Sequence, residues 1–403
     1  MKHLFYFIVA ALGLAVAVPT ADEFTALETR VATLEARVAR LEAPQPPPEP
    51  VARLLQASDL TYLGAFRLPE GTFGASSFDF GGGALAVNPA TNSMYMTGHA
   101  WHKGIAEVNI PPLKSGPINE LNTATVRQPF VEIMHRLPNL VSMPSHGGLL
   151  VVDGDLIGSI YNYYDADEPD KISHFRMTGH DLANGNMTGL FQVGGKGAGF
   201  VAGWMCQVPP KWQDKLGARY LTGQGTIPII SRTSWGPSLF GFDPAQLGAT
   251  PAPAIPLLYY TGDNPLAPLA GPASELWNGS TSIKGCVFPD GTDSVLFIGD
   301  HGTGDCWYGD PPEEGFDPAR GDKGFHAFPY RYQVWAYDAN DLGAAKAGTK
   351  QPWEVRPYAV WKLNLPYVDD ETKIQGACLT GDTIYVSQRT AGGMPVIHGF
   401  QVK

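Results

Sequence analysis

A fivefold repetition of four short β-type segments constrains the fold of this chain more than any other feature. From about residue 51 to the C-terminus, apolar and β-branched runs alternate with Gly, Pro, Asn and Asp, which is typical of strands joined by turns. The four segment types recur in one order, and such periodicity indicates a repeat architecture. We call them the first, second, third and fourth strand of each repeat.

The first strand of each repeat places small residues ahead of an apolar run. It reads GGALAVNP at 82, HGGLLVVDG at 146, VAGWMCQVP at 201, IKGCVFPDG at 283 and IQGACLTGD at 374. Second strands begin near 93, 155, 218, 294 and 383, and third strands begin near 104, 173, 238, 333 and 396. Fourth strands begin near 129, 189, 256 and 358, so the last repeat lacks one.

A segment at the beginning of the domain supplies the missing strand. TYLGAFRLP at 61 has the character of a fourth strand, and pairing it with the final segment at 396 removes an open sheet edge. The sequence therefore predicts an all-β domain over residues 51–403, a β-propeller of five four-stranded blades closed by an N-terminal strand. A β-sandwich is the alternative, but it gives no reason for the fivefold order.

The N-terminal 21 residues resemble a secretory signal peptide. Lys2 and His3 precede the apolar run Leu4–Val18, and small residues follow it. The run is short for a membrane span. We expect a secreted, periplasmic or cell-surface protein with no membrane span after cleavage; the alternative is an uncleaved N-terminal anchor.

Residues 22–43 carry the pattern of a short coiled-coil helix. Apolar residues recur at alternating steps of four and three, at Leu27, Val31, Leu34, Val38 and Leu41. In this register Arg30 and Arg37 occupy g positions, and Glu35 and Glu42 occupy e positions, where each Arg meets a Glu of a parallel partner. We expect a homo-oligomer through residues 27–41, with dimer or trimer open and an ordinary amphipathic helix as the alternative. The Pro-rich segment 44–50 then forms a stiff linker.

Two cysteines and two histidines in the fourth repeat suggest a metal site. Cys286, His301, Cys306 and His326 are of the types that form closed, structural Zn²⁺ sites. Such a site would hold the long loop that follows the second strand. The alternative is a Cys286–Cys306 disulfide with two unrelated histidines, while Cys206 and Cys378 are expected to be small core residues.

Charge and motifs exclude several functional classes. The net charge of −11 argues against nucleic acid as a partner. The sequence contains no GxSxG elbow, P-loop or dinucleotide fingerprint, and no paired carboxylates that stand out as those of a glycoside hydrolase.

The long loops on one face of the predicted propeller combine His, Tyr, Trp and Arg, a composition common in sugar-binding sites. We expect substrate-binding residues at Asn162, Tyr164, Trp235, His99 and Arg389. His with Tyr offers a base and an acid, and Arg binds a carboxylate with two hydrogen bonds.

The order of four motifs resembles the β-propeller polysaccharide lyases that cleave ulvan. HGG, YNYYD, SHF and RTSWGPS follow one another, with the Cys/His set after them, over about residues 135–330. The resemblance implies β-elimination at a uronic acid, with His146 and His174 as base or carboxylate neutraliser, Tyr220 as the acid/base partner and Arg232 as the carboxylate clamp. Those lyases resemble a seven-bladed design, whereas five repeats are counted here.

Two functions follow from these observations. The first is an exported polysaccharide lyase that acts on an acidic glycan. The alternative is a non-catalytic propeller that binds a glycan or a protein and is displayed in several copies by the coiled coil. The unequal loops favour the enzyme, because a lectin propeller tends to repeat one site in each blade.

Overall fold

The computed structural model describes residues 20–42, 52–165, 171–224, 233–368, 372–390 and 392–403. The chain divides into two compact units, Met1–Val51 and Ala52–Lys403. Most of the predicted signal peptide, residues 1–19, and the predicted linker 44–50 lie outside the described residues.

The described part of the first unit is one helix, α1 (Ala21–Glu42). Thr20 and Glu23 form a reciprocal cap, because the Thr20 N–H donates to the Glu23 carboxylate at 2.8 Å and the Glu23 N–H donates to the Thr20 hydroxyl at 3.3 Å. The helix is therefore confirmed, and its apolar residues Leu27, Val31 and Leu34 are exposed. A partner helix for this stripe stays a prediction. In the described ranges, no helix has the length and apolar character to cross a membrane.

The second unit is built mainly from antiparallel strands, so its predicted β class is confirmed. Twenty of the 24 described strands follow the predicted order in five groups of four; the first three groups are separate sheets, and the last two are joined in one eight-stranded sheet. The first three groups are β4–β7 (Ala86–Asn88, Ser93–Thr97, Gly104–Asn109, Thr125–Glu132), β8–β11 (Pro144–Val152, Asp155–Asn162, Ile172–Thr178, Asn186–Gln192) and β12–β15 (Met205–Gln207, Tyr220–Thr222, Leu239–Phe242, Ala254–Leu258). The fourth group is β16 (Ser282–Val287), β17 (Ser294–Gly302), β20 (Tyr330–Asp338) and β21 (Ala359–Lys362), and the fifth is β22 (Lys373–Thr380), β23 (Thr383–Arg389), β24 (Pro395–Val402) and β1 (Leu60–Arg67).

Short elements between these strands were not anticipated from the repeat. Two small antiparallel pairs join β2 (Thr72–Phe73) to β3 (Ser76–Ser77) and β18 (Trp307–Gly309) to β19 (Gly324–His326). The described α-helices of this unit are α2 (Ala198–Val201), α3 (Pro210–Leu216) and α4 (Ala339–Lys346).

The N-terminal strand completes the last group, as predicted. β1 pairs antiparallel with β24 from Leu60 opposite Val402 to Arg67 opposite Val396. Phe66 of β1 and Ile397 of β24 are fully buried in one apolar cluster. This pairing covers the edge of β24, which would otherwise expose its backbone groups.

The first strands of the five groups contact one another in a closed cycle. β4 contacts β8, β8 contacts β12, β12 contacts β16, β16 contacts β22, and β22 contacts β4. Small residues permit this approach: a Cβ on Gly285 would lie 2.5 Å from the Cβ of Ala377, and a Cβ on Gly148 would lie 2.1 Å from the oxygen of Gly203. The small residues that open each first strand are therefore required by packing between neighbouring groups.

Candidate functional site

Three first strands bulge at the same position of the repeat. The register shifts between His146 and Gly148 in β8, between Ile283 and Gly285 in β16, and between Ile374 and Gly376 in β22. The extra residues are Gly147, Lys284 and Gln375, and a bulge commonly redirects a side chain next to a functional site. All three line a single cavity.

This cavity has a volume of about 180 Å³, which suits a single sugar ring or a small anion better than an oligosaccharide. Its lining combines cationic, aromatic and small residues: Phe80, Gly81, Gly83, Ala84, Thr97, Gly98, Ala100, Lys103, Ser145, His146, Gly147, Tyr161, Lys284 and Gln375. No Asp or Glu stands among these described lining residues, although the protein has a net charge of −11. The cavity is therefore a cationic site in an acidic protein.

Lys284 is the most distinctive group of the cavity. Burial lowers the pKa of its ammonium group, and the charge of Asp300 opposes that shift. Among the described residues Lys284 makes no hydrogen bond or ion pair. The side chain is partly buried in the cavity wall, so its positive charge would attract an anionic group bound in the cavity.

One of the two ring nitrogens of His146 makes a hydrogen bond and the other does not. Its Nε2 lies 2.9 Å from the carbonyl oxygen of Lys103, so Nε2 donates and the lone pair of the neutral ring resides on Nδ1. Nδ1 is buried and has no hydrogen-bond partner among the described residues. Burial lowers the pKa of His146 to about 4, so the ring is neutral at neutral pH and is a weaker base than an exposed histidine.

A group of rings borders the cavity, and we call Phe80, His99, Trp101 and His102 the aromatic shelf. The ring centroid of His99 lies 5.6 Å from that of Phe80, 5.5 Å from that of Trp101 and 4.7 Å from that of His102. The Arg389 guanidinium lies 5.6 Å from the Phe80 ring centroid. Trp101 is 86% exposed, and Phe80 is both exposed and part of the cavity lining. The structure thus places His99 and Arg389 of the predicted set against Phe80, which lines the same cavity as His146.

The YNYYD motif also reaches this region. Tyr161, at the end of β9, lines the cavity. The Asn162 side-chain oxygen accepts from the Met143 N–H at 3.1 Å, so this predicted binding residue holds the adjacent loop. Tyr164 is half exposed and precedes residues 166–170, which are not described.

The structure places His174 in the interior and not in the cavity. Its Nδ1 lies 2.8 Å from the Ser173 hydroxyl, and its Nε2 lies 3.1 Å from the Thr222 hydroxyl, which itself donates to the carbonyl oxygen of Val201. The side chain is fully buried, and burial lowers its pKa to about 3. In this position His174 links β10 to β13 through Thr222, and its expected catalytic role stays a prediction.

The other predicted site residues of the third group are distributed differently. Tyr220 is buried at the start of β13, opposite Gln207 and Phe242, at the end of its group remote from the beginning of the first strand. Tyr220 is not among the described residues that line the cavity, and its expected role as the acid stays a prediction. Trp235 is partly buried and stacks on Trp277 at 6.4 Å. Arg232 lies outside the described residues.

The four predicted zinc ligands are not brought together. Both nitrogens of His301 are engaged, by Thr281 and by the carbonyl oxygen of Ser274, and those of His326 face Asp317 and the carbonyl oxygen of Asp322. Cys286 lies against Cys206, and no disulfide joins Cys286 to Cys306. Throughout the described ranges, no group of three or more His, Cys, Asp or Glu side chains could hold a metal. The donor set therefore does not fit Zn²⁺.

A carboxylate holds the long loop of the fourth group instead. Asp317 accepts hydrogen bonds from His326 at 2.7 Å and from the Tyr330 hydroxyl at 2.5 Å. Arg320 stacks on the Tyr330 ring at 3.7 Å and donates to Asp300 at 2.8 Å. The loop between β17 and β20 is thereby tied to the sheet by buried charges and aromatic contacts.

Sequence reasoning missed Lys284 and assigned no role to Lys103. One signal was present for Lys284: three of the five first strands carry Gly or Ala at this position, whereas IKGC carries Lys and IQGA carries Gln. A charged residue where repeats keep small residues indicates a function for that position.

Comparisons with known proteins assign no family. No family model and no curated protein matches the chain. Among solved structures, a GH43 endo-arabinanase from Bacillus licheniformis is similar at 11% identity and a TM-score of 0.40, over 81% of this chain and 95% of that one. A glycosyl hydrolase from Bacteroides ovatus is similar at 12% identity and a TM-score of 0.33, over 88% of this chain and 92% of that one. A virginiamycin B lyase from Staphylococcus aureus is similar at 7% identity and a TM-score of 0.33, over 85% of this chain and 100% of that one. TM-scores this low carry no argument about function.

Proposed function

We propose that the second unit is a five-bladed β-propeller that binds a uronic-acid-containing polysaccharide and cleaves it by β-elimination. The closed cycle of first-strand contacts and the pairing of β1 with β24 support the propeller. The observation that carries the function is the cavity, which holds two lysines, a histidine and a tyrosine but no carboxylate among its described lining residues. Such a lining attracts an anionic sugar and lacks the acid pair that glycoside hydrolysis requires.

The chemistry assigns a role to three cavity residues. The Lys284 ammonium pairs with the uronate carboxylate and stabilises the charge that develops when the adjacent carbon loses its proton. His146 Nδ1 accepts that proton. The bond from the neighbouring carbon to the glycosidic oxygen breaks, a carbon–carbon double bond forms, and the leaving oxygen takes a proton from the Tyr161 hydroxyl. The products are an unsaturated uronide and a new chain end.

An absorbance assay tests this function. The full chain is incubated with a panel of uronic-acid polysaccharides and with neutral polysaccharides as controls. A rise in ultraviolet absorbance from the unsaturated uronide, confined to the acidic substrates, is the expected result. New reducing ends without that absorbance would indicate hydrolysis and overturn the proposal, as would the absence of cleavage across a broad acidic panel.

The aromatic shelf extends the site beyond the one sugar that fits the cavity. Exposed rings stack on sugar faces, and Trp101 offers a largely exposed ring. We expect Trp101→Ala to weaken binding of an acidic oligosaccharide about 3- to 10-fold without changing the melting temperature. Phe316→Ala is the matched control, because Phe316 is also an exposed aromatic residue but lies in the loop between β17 and β20. Equal losses in the two variants would contradict the shelf.

A glycan-binding module without catalysis is the second candidate, and the exposed helix α1 favours it. Its apolar stripe has the heptad spacing of a coiled coil, and several copies would strengthen a weak site through avidity. We propose the same assembly for the enzyme, together with export guided by the N-terminal segment.

Oligomerisation through α1 has its own test. Leu34→Glu places a charge in the apolar seam and is expected to reduce the particle mass in light scattering two- or threefold, to that of a monomer. Ala36→Glu adds the same charge at an outer position of the same helix and should leave the mass unchanged. A wild-type protein that is already monomeric would contradict the coiled coil.

A further inference from the structure

Two buried cysteines from neighbouring groups lie in contact. Cys206 in β12 and Cys286 in β16 have their sulfurs 4.0 Å apart, and both belong to the same apolar cluster. They are separated by 80 positions in the sequence, so only the packing of β12 against β16 brings them together. No disulfide is formed in the structure.

The other two cysteines have different surroundings. Cys306 exchanges backbone hydrogen bonds with Gly271, and Cys378 belongs to another apolar cluster with Tyr385. All four cysteines are described, and Cys206 and Cys286 are the pair whose sulfurs are in contact. On sequence alone, a different bridge, Cys286 with Cys306, was the alternative to a zinc site.

We propose that Cys206 and Cys286 form a disulfide that joins the third and fourth groups of strands when the chain folds under oxidising conditions. The sulfurs must approach by about 2 Å to reach the bond length of about 2.05 Å, a movement that side-chain rotation can supply. The oxidant is a disulfide such as oxidised glutathione. One S–S bond forms between the cysteines, and their two protons and two electrons reduce the oxidant to two thiols.

The position of the pair determines how the bond forms and what it does. Burial raises the pKa of the Cys286 thiol well above its usual value, so little thiolate is present in the folded state and reaction there is slow. Formation during folding avoids this barrier. The bond would anchor β16, which carries Lys284 two positions before Cys286. The inference does not depend on the proposed lyase activity.

Peptide mapping after refolding tests the proposal. The full chain is refolded with oxidised and reduced glutathione, digested without reduction and examined by mass spectrometry. We expect a peptide pair linking Cys206 to Cys286, two remaining free thiols, and a melting temperature about 5 °C above that of the reduced protein. Four free thiols, or a bridge from Cys286 to Cys306, would overturn it.

Two variants distinguish the effect of the disulfide on stability from the effect of replacing a buried cysteine. Cys206→Ser should abolish the linked peptide and the difference in melting temperature between oxidised and reduced samples. Cys378→Ser removes a buried cysteine outside the pair and should keep both. Because each comparison is made between redox states of one variant, a loss of stability from the substitution itself does not obscure the result.

Discussion

Replacing Lys284 by methionine is expected to reduce the rate of uronide formation about 100- to 1,000-fold. The ammonium group is proposed to neutralise the substrate carboxylate as charge develops on it, and removal of one such electrostatic group typically costs that factor. Methionine retains the length of the side chain without its charge. Initial rates of absorbance increase on an acidic polysaccharide measure the effect, and the affinity for a uronate oligosaccharide should fall as well.

The control and the pH profile decide whether Lys284 acts as a cation. Lys323→Met removes a lysine that is exposed to solvent and should leave the rate unchanged. Because burial lowers the pKa of Lys284, its positive charge and the activity should decline at a pH below the ordinary lysine value of 10.5. Lys284→Arg should extend activity to higher pH, since Arg stays protonated. Activity that instead rises through this range would assign Lys284 as a base and contradict its role as neutraliser.

Asp317→Ala is expected to lower the free energy of unfolding by about 3–5 kcal/mol, the usual cost of removing one partner of a buried charged pair. The substitution leaves the His326 ring and the Tyr330 hydroxyl without their shared acceptor, and it also removes the acceptor of the Ala319 N–H at 2.9 Å. Chemical denaturation measures the loss. Limited proteolysis should show earlier cleavage between Gly302 and Tyr330.

The matched control for this prediction is Asp310→Ala. Asp310 pairs with Lys323 at 3.5 Å in a largely exposed setting, so its loss should cost less than about 1 kcal/mol. Burial opposes ionisation of Asp317, but its hydrogen bonds to Tyr330 and His326 outweigh burial and lower its pKa. A lowered pKa stabilises the fold above the ordinary value of 3.8, so this contribution should disappear as the pH falls below that value. Equal effects of the two substitutions would contradict the assigned anchor.

The sequence predicted the strands well because each strand is repeated. Small residues begin the first strands, where neighbouring groups are in contact, and turn residues separate the strands. Strand positions could therefore be compared between five repeats of the sequence. The pairing of β1 with β24 was predicted because the last repeat lacks a fourth strand and the segment at 61 can supply it. Segments that occur in one repeat could not be compared with equivalents in the others. The pair β18–β19 and helix α4 were therefore not predicted.

The candidate site was only partly predictable. His146 was identified because the HGG motif allows close backbone approach, and it does line the cavity. His174 was assigned by motif order, but the sequence does not show that Ser173 and Thr222 engage both of its nitrogens. Lys284 reaches the cavity through a bulge, which shifts the alternation of side chains along a strand and so defeats pattern analysis.

The pairing of the first strand with the last also has a consequence for biosynthesis. Leu60 emerges from the ribosome long before its partner Val402, a separation of 402 − 60 = 342 positions. During translation β1 must remain without that partner while the other strands are made, and the long chain closure slows the final step. Nascent chains that stall before β24 would therefore expose β1 to chaperones and proteases.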